Sequence, residues 1–117
     1  MYKTAMLTKD LVAASSKPLV LSILAEGESY GYEIIKRVRE LSGGQIEWSD
    51  GMLYPVLHRL EGDGLIRAEW KAAETGRERK YYRINSKGRQ NLACERDQWL
   101  TVHNTLCKLW KRKPVST

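Results

Sequence analysis

The sequence predicts a mainly α-helical protein with one small antiparallel β-hairpin, and three observations predict it. Apolar residues recur at helical spacing in three segments ahead of Gly62. Two segments alternating apolar and polar residues flank Thr75-Gly76, and a heptad of apolar residues runs along the closing segment. At 117 residues these elements make one domain, with room for a single core but not for a cleft between two domains.

The first helix opens at Thr8, a suitable N-cap, with Asp10 in its first turn. Pro18 either kinks that helix or starts a second piece, and residues 19–25 are apolar enough to predict burial on most sides. Gly27-Glu28-Ser29 reads as punctuation. The second helix carries Tyr30, Ile34, Val38 and Leu41 on one face and Lys36, Arg37 and Arg39 elsewhere, and Ser42-Gly43-Gly44 stops it. Ile46-Glu47-Trp48 is a short extended connection. Ser49 then caps a third helix with Asp50 at the positive end of its dipole, and Trp48 is placed to staple onto Leu53. Leu53, Val56, Leu57 and Leu60 form the stripe to be buried, while Gly51, Pro55, His58 and Arg59 point the other way with Tyr54 on the flank. Pro55 removes a donor inside this helix and crowds the carbonyl of Gly51, whose missing side chain leaves room for adjustment. Gly62-Asp63-Gly64 ends the element.

Two strands follow. In residues 65–71, Ile66, Ala68 and Trp70 face one side and Arg67, Glu69 and Lys71 the other; in residues 79–85, Lys80, Tyr82 and Ile84 alternate with Tyr81 and Arg83. Residues 72–78 join them as a long basic tip containing the Thr75-Gly76 turn signal. Ser86 is a suitable cap for a last helix running to about Trp110, in which Leu92, Trp99 and Leu106 recur every seven residues and Val102, His103, Leu109 and Trp110 fill the intermediate turns.

Composition narrows the function classes. Hydrophobic residues at 42% and charged residues at 29% fit a folded domain and exclude a disordered chain. No apolar run approaches the roughly 18 residues of a membrane helix and no leader pattern opens the chain, so a cytoplasmic protein without membrane attachment is expected. The net charge of +6 calls for an anionic partner. Its excess is local: between Arg67 and Arg89 stand eight basic residues (Arg67, Lys71, Arg77, Arg79, Lys80, Arg83, Lys87, Arg89) against Glu69, Glu74 and Glu78, and Lys108, Lys111, Arg112 and Lys113 close the chain. Such runs can be plain solvated faces, so their place in the fold decides their meaning.

Three helices followed by a basic hairpin and a long helix are the order of a winged helix-turn-helix with a C-terminal dimerisation helix. A helix of this size enters a DNA major groove with its N-terminal residues at base edges, and a hairpin beside it needs cations where phosphates pass. The candidate DNA contacts are therefore Ser49, Gly51, Met52, Tyr54, Pro55, His58 and Arg59 of the third helix, with Arg77, Arg79 and Lys80 of the wing.

Four stretches are distinctive: Pro18-Leu-Val-Leu-Ser-Ile-Leu-Ala-Glu-Gly; Ser29-Tyr-Gly-Tyr-Glu-Ile-Ile-Lys; Asp50-Gly-Met-Leu-Tyr-Pro-Val-Leu-His-Arg-Leu-Glu with Gly64-Leu-Ile; and Gly76-Arg-Glu-Arg-Lys-Tyr-Tyr-Arg-Ile. Together they carry a resemblance to the PadR family of bacterial transcriptional regulators. It runs from about Asp10 to Gly88 and loosely through the last helix. It implies a homodimer that binds a roughly palindromic operator in double-stranded DNA and usually represses, with release by a small molecule in some members. It implies a recognition helix beginning at Ser49, a wing tip at residues 77–80, and terminal helices that form the dimer, in the compact branch with a short final helix. In a multidrug-binding branch a tryptophan of the last helix lines a pore at the dimer interface and stacks flat aromatic ligands; counted from Tyr81-Tyr82, Trp99 falls at the matching place.

On this reading residues 1–85 are the DNA-binding domain, 86–113 the dimerisation helix and 114–117 a tail. Leu11, Leu92, Trp99, Val102, His103, Leu106, Leu109 and Trp110 are expected at the dimer interface, although the stripe through Leu92, Trp99 and Leu106 could instead cover the protein's own core. Tyr54 is open to two accounts, a phosphate contact or an anchor of the helix to the core, and His58 to a DNA contact or plain surface. Neither histidine has partners at metal-ligand spacing, so no metal and no cofactor is expected. Cys94 and Cys107 stand too far apart along one helix to bridge, about 20 Å at 1.5 Å per residue, and redox sensing would need an exposed, electropositive site. No nucleophile–base pair or glycine-rich phosphate loop suggests an enzyme. The competing reading is a winged-helix module for protein or RNA contacts, separable from an operator binder by salt dependence and sequence discrimination.

Overall fold

A computed structural model describes residues 7–114; residues 1–6 of the expected DNA-binding domain and 115–117 of the expected tail lie outside the described residues. The Thr8 hydroxyl accepts from the Leu11 amide and starts helix α1 (Lys9–Glu26), which runs through Pro18 as a single helix. Of the two alternatives at Pro18, a break is thus ruled out. Ser15 and Ser16 donate to carbonyls of the preceding turn just before the proline, the kind of local bonding that accommodates a disturbed helical ladder. Val20, Leu21, Ile23 and Leu24 are buried, as the apolar run predicts.

The chain then departs from the sequence reading. Ser29, read as punctuation, and Tyr30, read as part of the second helix, instead form a short strand, β1; helix α2 (Gly31–Leu41) follows, with Tyr30 at its N-cap position but making no side-chain cap bond. Ile34 and Val38 are buried, but Leu41, assigned to the same stripe, is 60% exposed because the helical period outlasts the core it faces. Arg37 of α2 holds Glu26 at the end of α1 through Nε (3.1 Å) and Nη2 (2.8 Å). That guanidinium keeps the Glu26 carboxyl below its ordinary range.

Helix α3 (Asp50–Gly62) is capped by Ser49, whose hydroxyl accepts from the Met52 amide, and passes through Pro55 unbroken. The carbonyl that Pro55 leaves without a helical donor belongs to Gly51, on the exposed side where water can reach it. Leu53, Val56, Leu57 and Leu60 are buried as the stripe predicts, and Trp48 joins them in the core.

Strands β2 (Ile66–Ala72) and β3 (Glu78–Ile84) pair antiparallel from Ile66↔Ile84 to Ala72↔Glu78, each displaced by one residue from the predicted limits. Because β1 adds to β3 at Ser29↔Tyr82 and Tyr30↔Tyr81, the hairpin is part of a three-stranded sheet ordered β1-β3-β2. Asn85, not Ser86, caps the last helix α4 (Ser86–Leu109): its Oδ1 accepts from the Gly88 amide while its Nδ2 donates to the Gly64 carbonyl. This second bond ties the start of α4 to the end of α3, which selects Asn85 over its neighbour. One core therefore joins α1, α2, α3 and the sheet, with Leu92 of α4 packed against it.

Candidate nucleic-acid interface

Helix α3 divides its residues between the core and solvent. With the leucine stripe buried, Ser49, Gly51, Pro55, His58 and Arg59 are exposed along the opposite side, while Met52 is half-buried against the core. Tyr54 is 38% exposed, and its ring covers Gly31: a Cβ at that glycine would lie 2.5 Å from the tyrosine oxygen. Tyr54 therefore anchors α3 to the start of α2 while leaving one edge in solvent. Gly31 is glycine because the ring takes the place of its side chain.

The wing is less uniformly basic than its composition suggests. Its turn occupies residues 73–77, so of the three basic residues assigned to the tip only Arg77 lies in it, exposed; Arg79 and Lys80 lie on β3. The Arg79 guanidinium stacks 3.9 Å from the Tyr30 ring centroid, and Tyr30 meets Tyr81 edge-on at 5.4 Å. The Lys80 ammonium leans back to 5.6 Å from the Tyr82 ring. Lys71 binds both oxygens of Glu28, at 2.7 and 2.5 Å, and this hydrogen-bonded cation holds the Glu28 carboxyl below its ordinary range. Arg83 pairs with Glu69 at 3.2 Å. Two of the eight cations are thus neutralised by neighbours. Arg77, Arg79 and Lys80 keep their charge available along the wing, Arg79 and Lys80 steadied by aromatic rings.

Two exposed aromatic positions were not among the candidate DNA contacts read from the sequence. Tyr32, beside Gly31 at the start of α2, is exposed. Trp70, read on the same face of β2 as Ile66 and Ala68, is 61% exposed. Alternation fixes the face on which a side chain lies, not whether a helix covers it, and the core ends at Ala68.

Away from the wing, α1 and α4 enclose an apolar groove of about 420 Å³ lined by Leu11, Pro18, Leu19, Leu92, Trp99 and Leu100. The Trp99 indole donates to Glu95 at 3.4 Å. Val102 and Leu109 are exposed farther along α4, as is Trp110 just after it, and Leu106 is half-buried. Cys107 is buried with its sulfur 3.5 Å from His103 Nε2, whereas Cys94 is exposed. Among the described residues no group of three or more metal-ligating side chains occurs, and no helix is long and apolar enough to cross a membrane.

The fold and sequence are shared with proteins of known class. The model of the PadR-like family of transcriptional regulators matches residues 20–94. This chain belongs to the PadR family. A transcriptional regulator of Mycobacterium tuberculosis is 39% identical over 88 residues, 75% of this chain and 78% of that protein. Among solved structures, a transcriptional regulator from Clostridium thermocellum superposes with a TM-score of 0.79 at 30% identity, covering 88% of this chain and 97% of that one. A PadR-like regulator from Bacillus cereus gives 0.78 at 28% identity, covering 90% and 100%. The winged helix-turn-helix predicted from the order of elements is the fold of this PadR protein, and its class is that of non-enzymatic DNA-binding regulators.

Proposed function

We propose that this PadR protein is a sequence-specific dimeric repressor that binds a roughly palindromic operator. The observation that carries the proposal is the division of α3: a fully buried leucine stripe on one side, and on the other Gly51, Tyr54, Pro55, His58 and Arg59 exposed beside a wing bearing Arg77, Arg79 and Lys80. A helix held this way presents its N-terminal half to a major groove, with Ser49 and its exposed amides suited to a phosphate. The wing cations then meet the flanking backbone. Residues 1–85 form the DNA-binding part in this reading and residues 86–113 the dimerisation helix.

The partner for α4 is a second copy. The α1–α4 groove and the exposed Leu11, Val102, Leu109 and Trp110 supply apolar surface on one helix pair, and α4 spans about 36 Å for its 24 residues. The same contact fixes the distance between two copies of α3, which must match half-sites one helical turn apart, roughly 34–36 Å. A flat aromatic molecule on Trp99 would act through that distance, since a ligand shifts an equilibrium only by preferring one of its states. The groove's size falls within the range of ordinary small-molecule sites, about 300–1,000 Å³.

The test is the salt dependence of duplex binding by Arg77→Ala. Removing a phosphate contact is expected to weaken binding to all sequences alike and to lower the slope of log affinity against log salt by about 1. An unchanged slope, or an effect confined to one base position, would contradict the assignment of Arg77 to the backbone.

A further inference from the structure

The geometry points to Trp70 as a DNA-contacting residue, packing its indole against the sugars and base edges of the minor groove flanking α3. This rests on the DNA-binding reading above and extends it to a residue that no charge pattern marks. Side chains paired across antiparallel strands project together, and every second residue returns to the same face. Trp70 and its partner Lys80 therefore share the face of Ile66, Ala68, Tyr82 and Ile84, the face turned toward the helices. The difference is distance. At about 3.3 Å per residue, Trp70 stands roughly 13 Å beyond Ile66, past the last residue packed on the core.

Three features say what covers it. Strand β2 follows α3 directly and touches it, so along the chain Trp70 stands between the end of the recognition helix and the turn carrying Arg77. A duplex touching α3 and that turn together passes over Trp70. The Lys80 ammonium, which could have lain across the indole, instead leans toward Tyr82, so the ring stays open while a cation remains beside it for phosphate. Among the described residues, no hydrogen bond, ring or cation is placed on the Trp70 indole. Apolar side chains on a basic two-stranded ribbon suit the minor groove, whose walls are sugar edges, and an indole loses little conformational freedom on contact.

The experiment compares the parent, Trp70→Ala, Trp70→Phe and Arg77→Ala on a fluorescein-labelled duplex of about 30 base pairs, three helical turns, by anisotropy at several salt concentrations. Trp70→Ala is expected to bind roughly 5- to 30-fold more weakly, the scale of apolar indole surface returned to water, with its salt slope unchanged because no charge is removed. Trp70→Phe is expected to recover most of the loss. The duplex should change the indole emission of the parent, and most of that change should vanish in Trp70→Phe. Melting of all three variants should match the parent, because neither residue is part of the core. Trp70→Ala binding as tightly as the parent at every salt concentration would overturn the inference while leaving the DNA-binding reading intact. A parent that binds no duplex even at low salt would remove both.

Discussion

Gly88 offers the strongest test of how the last helix is seated. A Cβ built there lies 2.7 Å from Ile84 Cγ1 and 3.1 Å from the Leu65 carbonyl carbon, with the carbonyl oxygen closer still, whereas ordinary contact begins at 3.4 Å. The oxygen cannot swing aside, because it accepts from the Asn85 amide at 3.1 Å. Gly88→Ala must therefore drive the start of α4 away from the strand by roughly 1 Å, an overpacking defect that costs about 1–3 kcal/mol. Backbone is less forgiving than a flexible side chain, which places this case at the upper end. Alanine's helix propensity offsets less than about 1 kcal/mol, since the position is in the first turn. A net loss of about 2–3 kcal/mol, at roughly 2.1 cal/mol/K of unfolding entropy per residue, lowers the melting temperature by about 10 °C. Calorimetry or circular dichroism at fixed protein concentration measures it, because the proposed dimerisation would make melting concentration-dependent. Gly62→Ala is the control: nothing lies within 4 Å of a Cβ there, so it should be neutral or slightly stabilising. If Gly88→Ala melts with the parent, α4 does not start against Leu65 and Ile84 as described.

Three further outcomes follow from the same structure. Gly51→Ala meets only Ser49 Oγ at 3.8 Å, so the fold should hold; the added methyl on the exposed face of α3 should nevertheless lower duplex affinity about tenfold, or ~1.4 kcal/mol, and an unaltered affinity would remove that face from the DNA contact. Tyr82 is buried, and this burial, with Tyr54 and Glu61 nearby, pushes its phenol from 10.0 up to about 12. The folded state then keeps a proton that the unfolded chain gives up, so its contribution is complete below pH 10 and lost as pH rises from 10 toward 12; urea melts should show the parent losing on the order of 1 kcal/mol more than Tyr82→Phe between pH 8 and pH 11, and equal losses would refute the assignment. Leu109 is 73% exposed, so Leu109→Lys should leave the monomer's secondary structure unchanged while shifting sedimentation toward monomer, and an undisturbed dimer would place the interface elsewhere.

The elements that could be read from sequence are those whose signals are local. Ser49, Asp50 and the four-residue stripe of α3 announce a helix and its orientation, and the exposed set on its far side follows by subtraction. Strand β1 had no such signal: two residues carry no period, and Ser29–Tyr30 is a strand only because Tyr81 and Tyr82 come back to pair with it. The choice of Asn85 over Ser86 turns on a bond to Gly64 across the fold, and Leu41 and Trp70 keep a period beyond the packed core. Arg79 was legible as a cation but not as one stacked on Tyr30, a ring far away in sequence. What sequence patterning fixes is direction and charge; what covers or holds a side chain is settled by tertiary contact.

The most direct test of the central claim is selection from a random duplex library with the purified protein, followed by anisotropy titration of the enriched duplex over a range of salt. Binding by two copies of α3 held at a fixed distance should enrich an inverted repeat with half-sites about one turn apart, and its affinity should fall steeply as salt rises. Recovery of no motif, with weak and sequence-indifferent binding at every salt concentration, would contradict operator recognition by this protein.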